Sequence, residues 1–351
     1  MADRLAGPAR VPVTVRAYGT RYLRITVRRH DDGRFTWLRT PGPDHPGSGP
    51  LPGAALRAML DRAGHHPGGA GLVLGRPEPP APRPEPDAPD APDAPDGTDP
   101  PDPPDPSSGV LYDVPAPFSA AVLLQSGEEA ARNAVADALR AAGRTLRRLH
   151  RERPPLPEPP PPHRGLDRLR SWTAGEPRPG DAARLRDGVR ARLGPRLWTR
   201  LADWSHATAP LASRTLLHGA PSLGWLVPTP WCGGAVLLTG EEITVGEPAG
   251  DLGWLLGELA ELRGAAARGL GGAARHRPGD FTEPARALLE GYLGPGPHPA
   301  PPEGTARHAT LRLATHMHDY AAYVGWHDDL TAYADLLAEF LDAHGEPALH
   351  W

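Results

Sequence analysis

A chain of 351 residues is long enough for two domains or one large two-lobed fold. Its 39% hydrophobic and 23% charged residues suit a globular protein, but 47 prolines and 41 glycines require that part of it be extended. A net charge of −4 gives no basic footprint for nucleic acid, no run approaches the ~20 apolar residues of a membrane span, and residues 1–15 lack the apolar stretch of a signal peptide.

With Cys232 the only cysteine, an internal disulfide or thiolate cluster is impossible, and a cytoplasmic protein is expected. All 38 basic residues are arginine. From Val11 to Thr40 the pattern reads as strands joined by turns. Leu23, Ile25 and Val27 alternate with Tyr22, Arg24 and Thr26, and Asp32-Gly33 favours a tight turn. Leu51 to Ala63 predicts a short helix and Ala70 to Leu74 a short apolar strand.

Between Pro77 and Pro106 two glutamates and seven aspartates face only Arg83, a net −8 that leaves +4 for the rest of the chain. This stretch has no apolar surface to bury and few backbone donors, so residues 77–109 are expected to form a disordered insertion. Its aspartates recur at every third residue from Asp87 to Asp105. On a polyproline II helix they would line one edge at roughly 9 Å intervals. The plain reading is a solvated linker; the sharper one is an acidic rod that docks on an arginine-rich face.

Val110 to Leu124 reads as a strand and connector. Glu128 to Arg151 predicts a helix, with Val135, Ala138, Leu139, Ala142, Leu146 and Leu149 at three- and four-residue steps, ended by the run Pro154 to Pro162. Further helices are expected at Asp181 to Leu193, Arg196 to Ser205, Leu252 to Arg263, Thr282 to Tyr292, and Thr305 to Ala343 with a break near Gly325. Thr215 to Val245 suggests loops and hairpin strands. Residues 1–76 would then be a strand-rich N-lobe, and 110–351 the remainder of a hinge with a helical C-lobe.

The segment Leu216 to Leu259, LLHGAPSLGWLVPTPWCGGAVLLTGEEITVGEPAGDLGWLLGEL, resembles the catalytic stretch of the aminoglycoside phosphotransferase and choline kinase-like family. His218-Gly219 matches its His-Gly pair, Gly224 the glycine before its asparagine, Gly246-Glu247-Pro248 its G-D-P turn, and Asp251-Leu252 the Asp-Leu that opens the next helix. RTLRRLHR, Arg144 to Arg151, resembles a helix end of the same family. The resemblance runs from Val110 onward and implies an α+β, protein kinase-like two-lobed fold.

The resemblance also implies which groups should perform phosphoryl transfer: an Asp that accepts the nucleophile's proton, an Asn and a second Asp that hold magnesium, and a strand Lys on the phosphates. The matching positions are Ala220, Trp225, Thr239 and Arg39. Alanine has no lone pair for a proton, tryptophan offers only an N–H donor, and threonine offers one neutral oxygen. No catalytic residue, no metal and no cofactor are therefore expected, and neither ATP nor Mg²⁺ as a ligand. The implied role is a degenerate, pseudokinase-type binding protein with a peptide or protein partner, serving as a subunit of a biosynthetic pathway. The competing reading is an active small-molecule or peptide kinase whose metal site has moved to Glu241 or Glu242. The plain alternative for both glutamates is a solvated turn. His218 and Asp251 are then structural, as is Gly224.

Other constellations carry less. His316, His318 and Asp319, followed by His327, Asp328 and Asp329, resemble metal ligands, but residues two apart on a helix do not face each other, whereas His316 and Tyr320 do. Ser213 and Ser222 near His218 lack the G-x-S-x-G elbow. Gly19 alone is no phosphate loop. Trp198, Trp225, Trp231 and Trp254 could line a cleft or pack a core. For Trp225 the two readings are an open cleft, with the indole meeting a ligand, and a cleft that the indole fills.

Overall fold

The structure is a computed structural model that describes residues 12–46, 51–65, 68–78, 109–152, 163–207, 214–229, 234–294 and 301–351. Most of the acidic insertion, the whole of the second proline run, Ser213, Trp231 and Cys232 lie outside the described residues.

The alternating N-terminal segment folds as the meander β1 (Val13–Gly19), β2 (Leu23–Arg29) and β3 (Phe35–Pro41). In β3, Trp37 and Leu38 are buried, and the turn before it closes through Gly33 at φ 81°. Helix α1 (Ala54–Gly64) follows, then β4 (Gly71–Leu74), β5 (Arg76–Pro77) and, after the insertion, β6 (Val110–Val114). The N-terminal sheet runs β1-β2-β3-β6-β5, with β6 antiparallel to β3.

β4 departs from the sequence expectation of a small-lobe strand. It pairs in parallel with β9 (Ala235–Thr239), the central strand of a second sheet completed by β8 (Leu226–Pro228). The chain passes between the sheets at Gly75, whose N–H donates to the Thr239 carbonyl at 3.2 Å. A Cβ at Gly75 would lie 2.2 Å from Val110 Cγ1, so only glycine allows this approach. One extended segment thus joins the N-terminal sheet to the hairpin beneath it.

The remainder is mainly helical. The expected connector after β6 instead contains a short helix, α2 (Ala120–Gln125), capped by Ser119 Oγ, which accepts from the Val122 N–H. Helix α3 (Glu129–Leu149) buries the apolar stripe its periodicity announces, from Val135 to Leu149. Helix α4 (Arg164–Ala174) went unread in the sequence. Helix α5 (Ala182–His206) is two helices meeting at Gly194 (φ 65°) and Pro195, where the two expected helices adjoin.

Between α5 and α6 (Ala249–Arg268) lie β7 (Thr215–Leu217), the β8–β9 hairpin and β10 (Thr244–Gly246), with β10 antiparallel to β7. Helices α7 (Thr282–Leu293), α8 (Thr305–Tyr323) and α9 (Asp329–Asp342) complete the lobe, with the break between α8 and α9 at the anticipated Gly325. One core cluster joins α4, α5, α8 and α9; another joins α1, α3, α6 and α7 with the hairpin. Among the described residues, no helix is long and apolar enough to cross a membrane.

Candidate functional site

The loop between β7 and β8 is held from behind by α6. Asp251, 1% exposed, accepts from the His218 N–H at 2.7 Å, the Gly219 N–H at 2.9 Å and His150 Nε2 at 3.0 Å. Burial pushes this carboxyl up, but the hydrogen bond and charge from His150, with the His218 ring and the Gly219 N–H adding to them, hold it below the ordinary carboxylate range. His218 donates from Nε2 to the Leu238 carbonyl at 2.8 Å, pinning the loop to β9. Gly219 sits at φ 91° with the Glu242 carbonyl where a Cβ would be, at 1.7 Å, so no other residue fits. Further along, Glu258 of α6 accepts from the Leu223 N–H at 2.9 Å.

On this frame the positions singled out in sequence fall together. Ala220 and Ser222 lie at the loop tip and Trp225 just before β8. Thr239 ends β9, and Glu241 and Glu242 follow it in the turn to β10. Gly224 sits in the turn before Trp225 and has space around its Cα. Thr239 Oγ1 is buried and has no hydrogen-bond partner.

Glu241 is not a solvated turn residue. It is 5% exposed, and its two carboxylate oxygens meet Arg39 Nη1 at 2.7 Å and Arg164 Nη1 at 3.3 Å. Arg39, on β3, is buried in turn. Burial is the largest single influence and works against its charge, but Glu241, Tyr112 and Glu242 together outweigh it and hold the guanidinium above its ordinary range. Its Cζ lies 4.6 Å from the Trp225 ring centroid, a cation–π stack, and Tyr112 shares a hydrogen bond with it. The pair thus bridges the N-terminal sheet and the β9–β10 turn.

A second bridge closes the outer side. The turn between β1 and β2 reaches α8, where the Arg21 N–H donates to the Tyr323 carbonyl at 3.0 Å. Tyr22 packs against Tyr323 and His45, with ring centroids 4.8 and 4.5 Å apart, and its hydroxyl accepts from Arg168 Nη1 at 3.1 Å. Arg168, from α4, forms a two-bonded fork with Asp319 at 2.9 and 2.7 Å. Burial and the charges of Arg39 and Arg164 depress His45 to about 4. His163, which caps α4 by accepting from the Leu166 N–H, is likewise lowered to about 4 by burial.

Sequence reading missed Arg164 and Arg168 because α4 went unseen. The signal was present in Leu166, Leu169 and Trp172, spaced by three and all buried. The histidines of α8 do not gather. His318 is fully buried beside Trp172, whereas His316 is half-exposed and bonded to Glu261. Among the described residues no group of three or more His, Cys, Asp or Glu could hold a metal ion. Trp198 is a core residue, and Trp254, though 5% exposed and packed into the same core, also borders a cavity beside Ala220.

The groups present do not fit a magnesium-nucleotide. Ala220 has no ligand atom, Trp225 presents a ring, Thr239 offers a single buried hydroxyl, and Glu241 has both oxygens engaged by arginines. What stays open is a slot of about 150 Å³ on the helical side, where Ala220, Ser222, Trp225, Glu242, Trp254 and Arg312 form part of the wall. Trp225 therefore combines both sequence readings, since it covers Arg39 on one side and walls the slot on the other. Truncating a core tryptophan costs about 3–5 kcal/mol, so for this half-buried ring Trp225→Ala is expected to cost about 2–3 kcal/mol in urea unfolding. A loss below about 1 kcal/mol would show that the Arg39 stack contributes little.

No protein-family model matches the sequence, and a comparison with curated proteins finds none similar to it. Solved structures do resemble it. A spectinomycin phosphotransferase, determined with ADP and spectinomycin, aligns over 97% of this chain and 94% of its own at a TM-score of 0.50 and 10% identity. A choline/ethanolamine kinase family protein from Mesorhizobium loti aligns over 98% and 91% at 0.44 and 16%. An aminoglycoside phosphotransferase from Streptomyces rimosus aligns over 87% and 92% at 0.41 and 17%.

Proposed function

From the kinase-like, phosphotransferase fold of this chain, we propose that it is a binding protein that does not transfer phosphate, a pseudokinase in the sense that the scaffold persists without its chemistry. The observation that carries this reading is the buried Arg39–Glu241–Arg164 ion pairing, in which the carboxylate best placed to replace the lost metal ligands is already committed to two cations. The moved-metal-site alternative would have to strip Glu241 from both arginines and leave those charges buried, a cost of several kcal/mol. Glu242 by itself supplies one carboxylate, and magnesium seeks octahedral oxygen ligation.

The ligand engages the protein from the helical-lobe side, at the slot beside Ala220. A peptide or protein partner in a biosynthetic pathway fits this reading by presenting a terminus or side chain to that slot.

The test is calorimetry and thermal melting of the full chain with millimolar ATP and Mg²⁺. No binding heat and no rise in Tm are expected. A site filled to a hundred times its Kd would stabilise the fold by about 2.7 kcal/mol. A magnesium-dependent rise of that size would overturn the proposal and restore the kinase reading.

A further inference from the structure

Four charged side chains line the slot beside Ala220, and they are used unequally. Arg168 and Asp319 satisfy one another through their two-bonded fork, with Tyr22 and His318 completing their hydrogen bonds. Arg312, from α8, is 13% exposed, and its nearest carboxylates are Glu258 at 4.0 Å and Glu261 at 3.7 Å, beyond hydrogen-bond reach. Its guanidinium makes no hydrogen bond within the described residues. Glu261 Oε2, which faces it, is buried and has no hydrogen-bond partner. The two glutamates therefore lie near Arg312 without consuming its donors. Glu242, 15% exposed, is similar in the opposite sense, because its nearest cation is Arg39 Nη2 at 3.8 Å.

The Arg312 fork and the Glu242 carboxylate are thus largely but not fully buried, and neither makes a side-chain hydrogen bond within the described residues. A ligand that pairs with both would restore contacts that partial burial takes from water. Both open into the same slot, beside the indoles of Trp225 and Trp254 and the hydroxyl of Ser222. Arginine's planar fork matches a carboxylate, a glutamate matches an ammonium, and indole faces suit an aliphatic or aromatic body between them. The volume of about 150 Å³ admits one small molecule and excludes a strand or helix.

We propose that the slot binds a small amphoteric molecule of the amino-acid type, with its carboxylate on Arg312, its ammonium on Glu242 and its apolar body against Trp225 and Trp254. This rests on the reading of the cleft as a binding site without phosphoryl transfer, and it narrows that site's ligand to one chemical class.

The test titrates the full chain, by calorimetry and ligand-observed NMR, with free L-leucine, L-phenylalanine, 4-aminobutyrate and 6-aminohexanoate, each beside its N-acetyl and carboxamide derivatives. The α- and ω-amino acids differ in charge separation, so whichever binds reports the span from Arg312 to Glu242. At least one free amino acid is expected to bind, with both capped forms at least tenfold weaker. Arg312→Gln should weaken the free form at least tenfold, Arg312→Lys less so, and Glu242→Gln should remove the preference for a free amine. If these variants fold poorly, the comparison of free and capped ligands on the unaltered protein decides. Absence of binding by every free member at roughly 10 mM, or equal binding of capped and free forms, would overturn the proposal. Either result would leave the non-catalytic reading standing, since that falls only to magnesium-dependent nucleotide binding.

Discussion

Replacing Glu241 with alanine is expected to destabilise the fold by about 3–5 kcal/mol, the penalty for leaving a buried charge without its partner. Two cations depend on this carboxylate. Arg39 has 7% of its side chain exposed and Arg164 18%, and neither can shed its proton to escape the loss. The more informative variant is Arg39→Met with Glu241→Met. Replacing a buried ion pair by apolar groups of similar volume is often neutral, so the double variant should recover the part of the Glu241→Ala loss that Arg39 carries, leaving only the part due to Arg164. Urea unfolding of the three proteins measures both effects. A Glu241→Ala protein within about 1 kcal/mol of the parent would mean that Arg39 and Arg164 reach water when unpaired, and that the pairing does not hold the N-terminal sheet to the β9–β10 turn.

The second large effect is expected at Asp251. Alanine there orphans the His218 and Gly219 N–H groups and the His150 ring in one step, a loss of about 3–5 kcal/mol at neutral pH. Because the folded-state pKa of Asp251 lies below its unfolded value, its contribution is fully present above about pH 5 and fades as the pH falls through the folded value. The parent should therefore lose stability below about pH 4 more steeply than Asp251→Ala, and the gap between the two curves should narrow in acid. Parallel curves would assign the acid sensitivity to other carboxylates, Asp319 first, since Arg168 also holds that group well below its usual range against the opposing effect of burial.

The two effects test different parts of the molecule. Asp251 fixes the shape of the loop that carries Ala220, whereas Glu241 joins that loop's neighbourhood to the N-terminal sheet. On the proposed reading, dependence on both would mean that the scaffold is kept as a binding frame.

The sequence alone determined what is local or ordered along the chain. The two-residue alternation in β2, the three- and four-residue steps of α3, the Gly194-Pro195 break in α5 and the pause at Gly325 all follow from rules acting within a few residues. The ordered landmarks His218-Gly219, Gly246 to Pro248 and Asp251-Leu252 pointed to the two-lobed fold, and Ala220, Trp225 and Thr239 could be read as chemically unsuited to magnesium without coordinates, because that judgement needs only their functional groups. Tertiary structure decided everything that depends on partners distant in the chain. Glu241 looked like a turn residue because nothing near it in sequence signals Arg39 on β3 or Arg164 on α4. Trp225 was ambiguous because its two sides face different elements, and β4 was misplaced because its partner β9 lies more than a hundred residues onward. Arg312 could not be singled out among 38 arginines, since its distinction is the hydrogen bonds it does not make. Local propensity sets which elements form, but burial and charge pairing are properties of the assembled fold, and in this protein those pairings tie the N-terminal sheet to the β9–β10 turn and to α4, beside the slot that remains open.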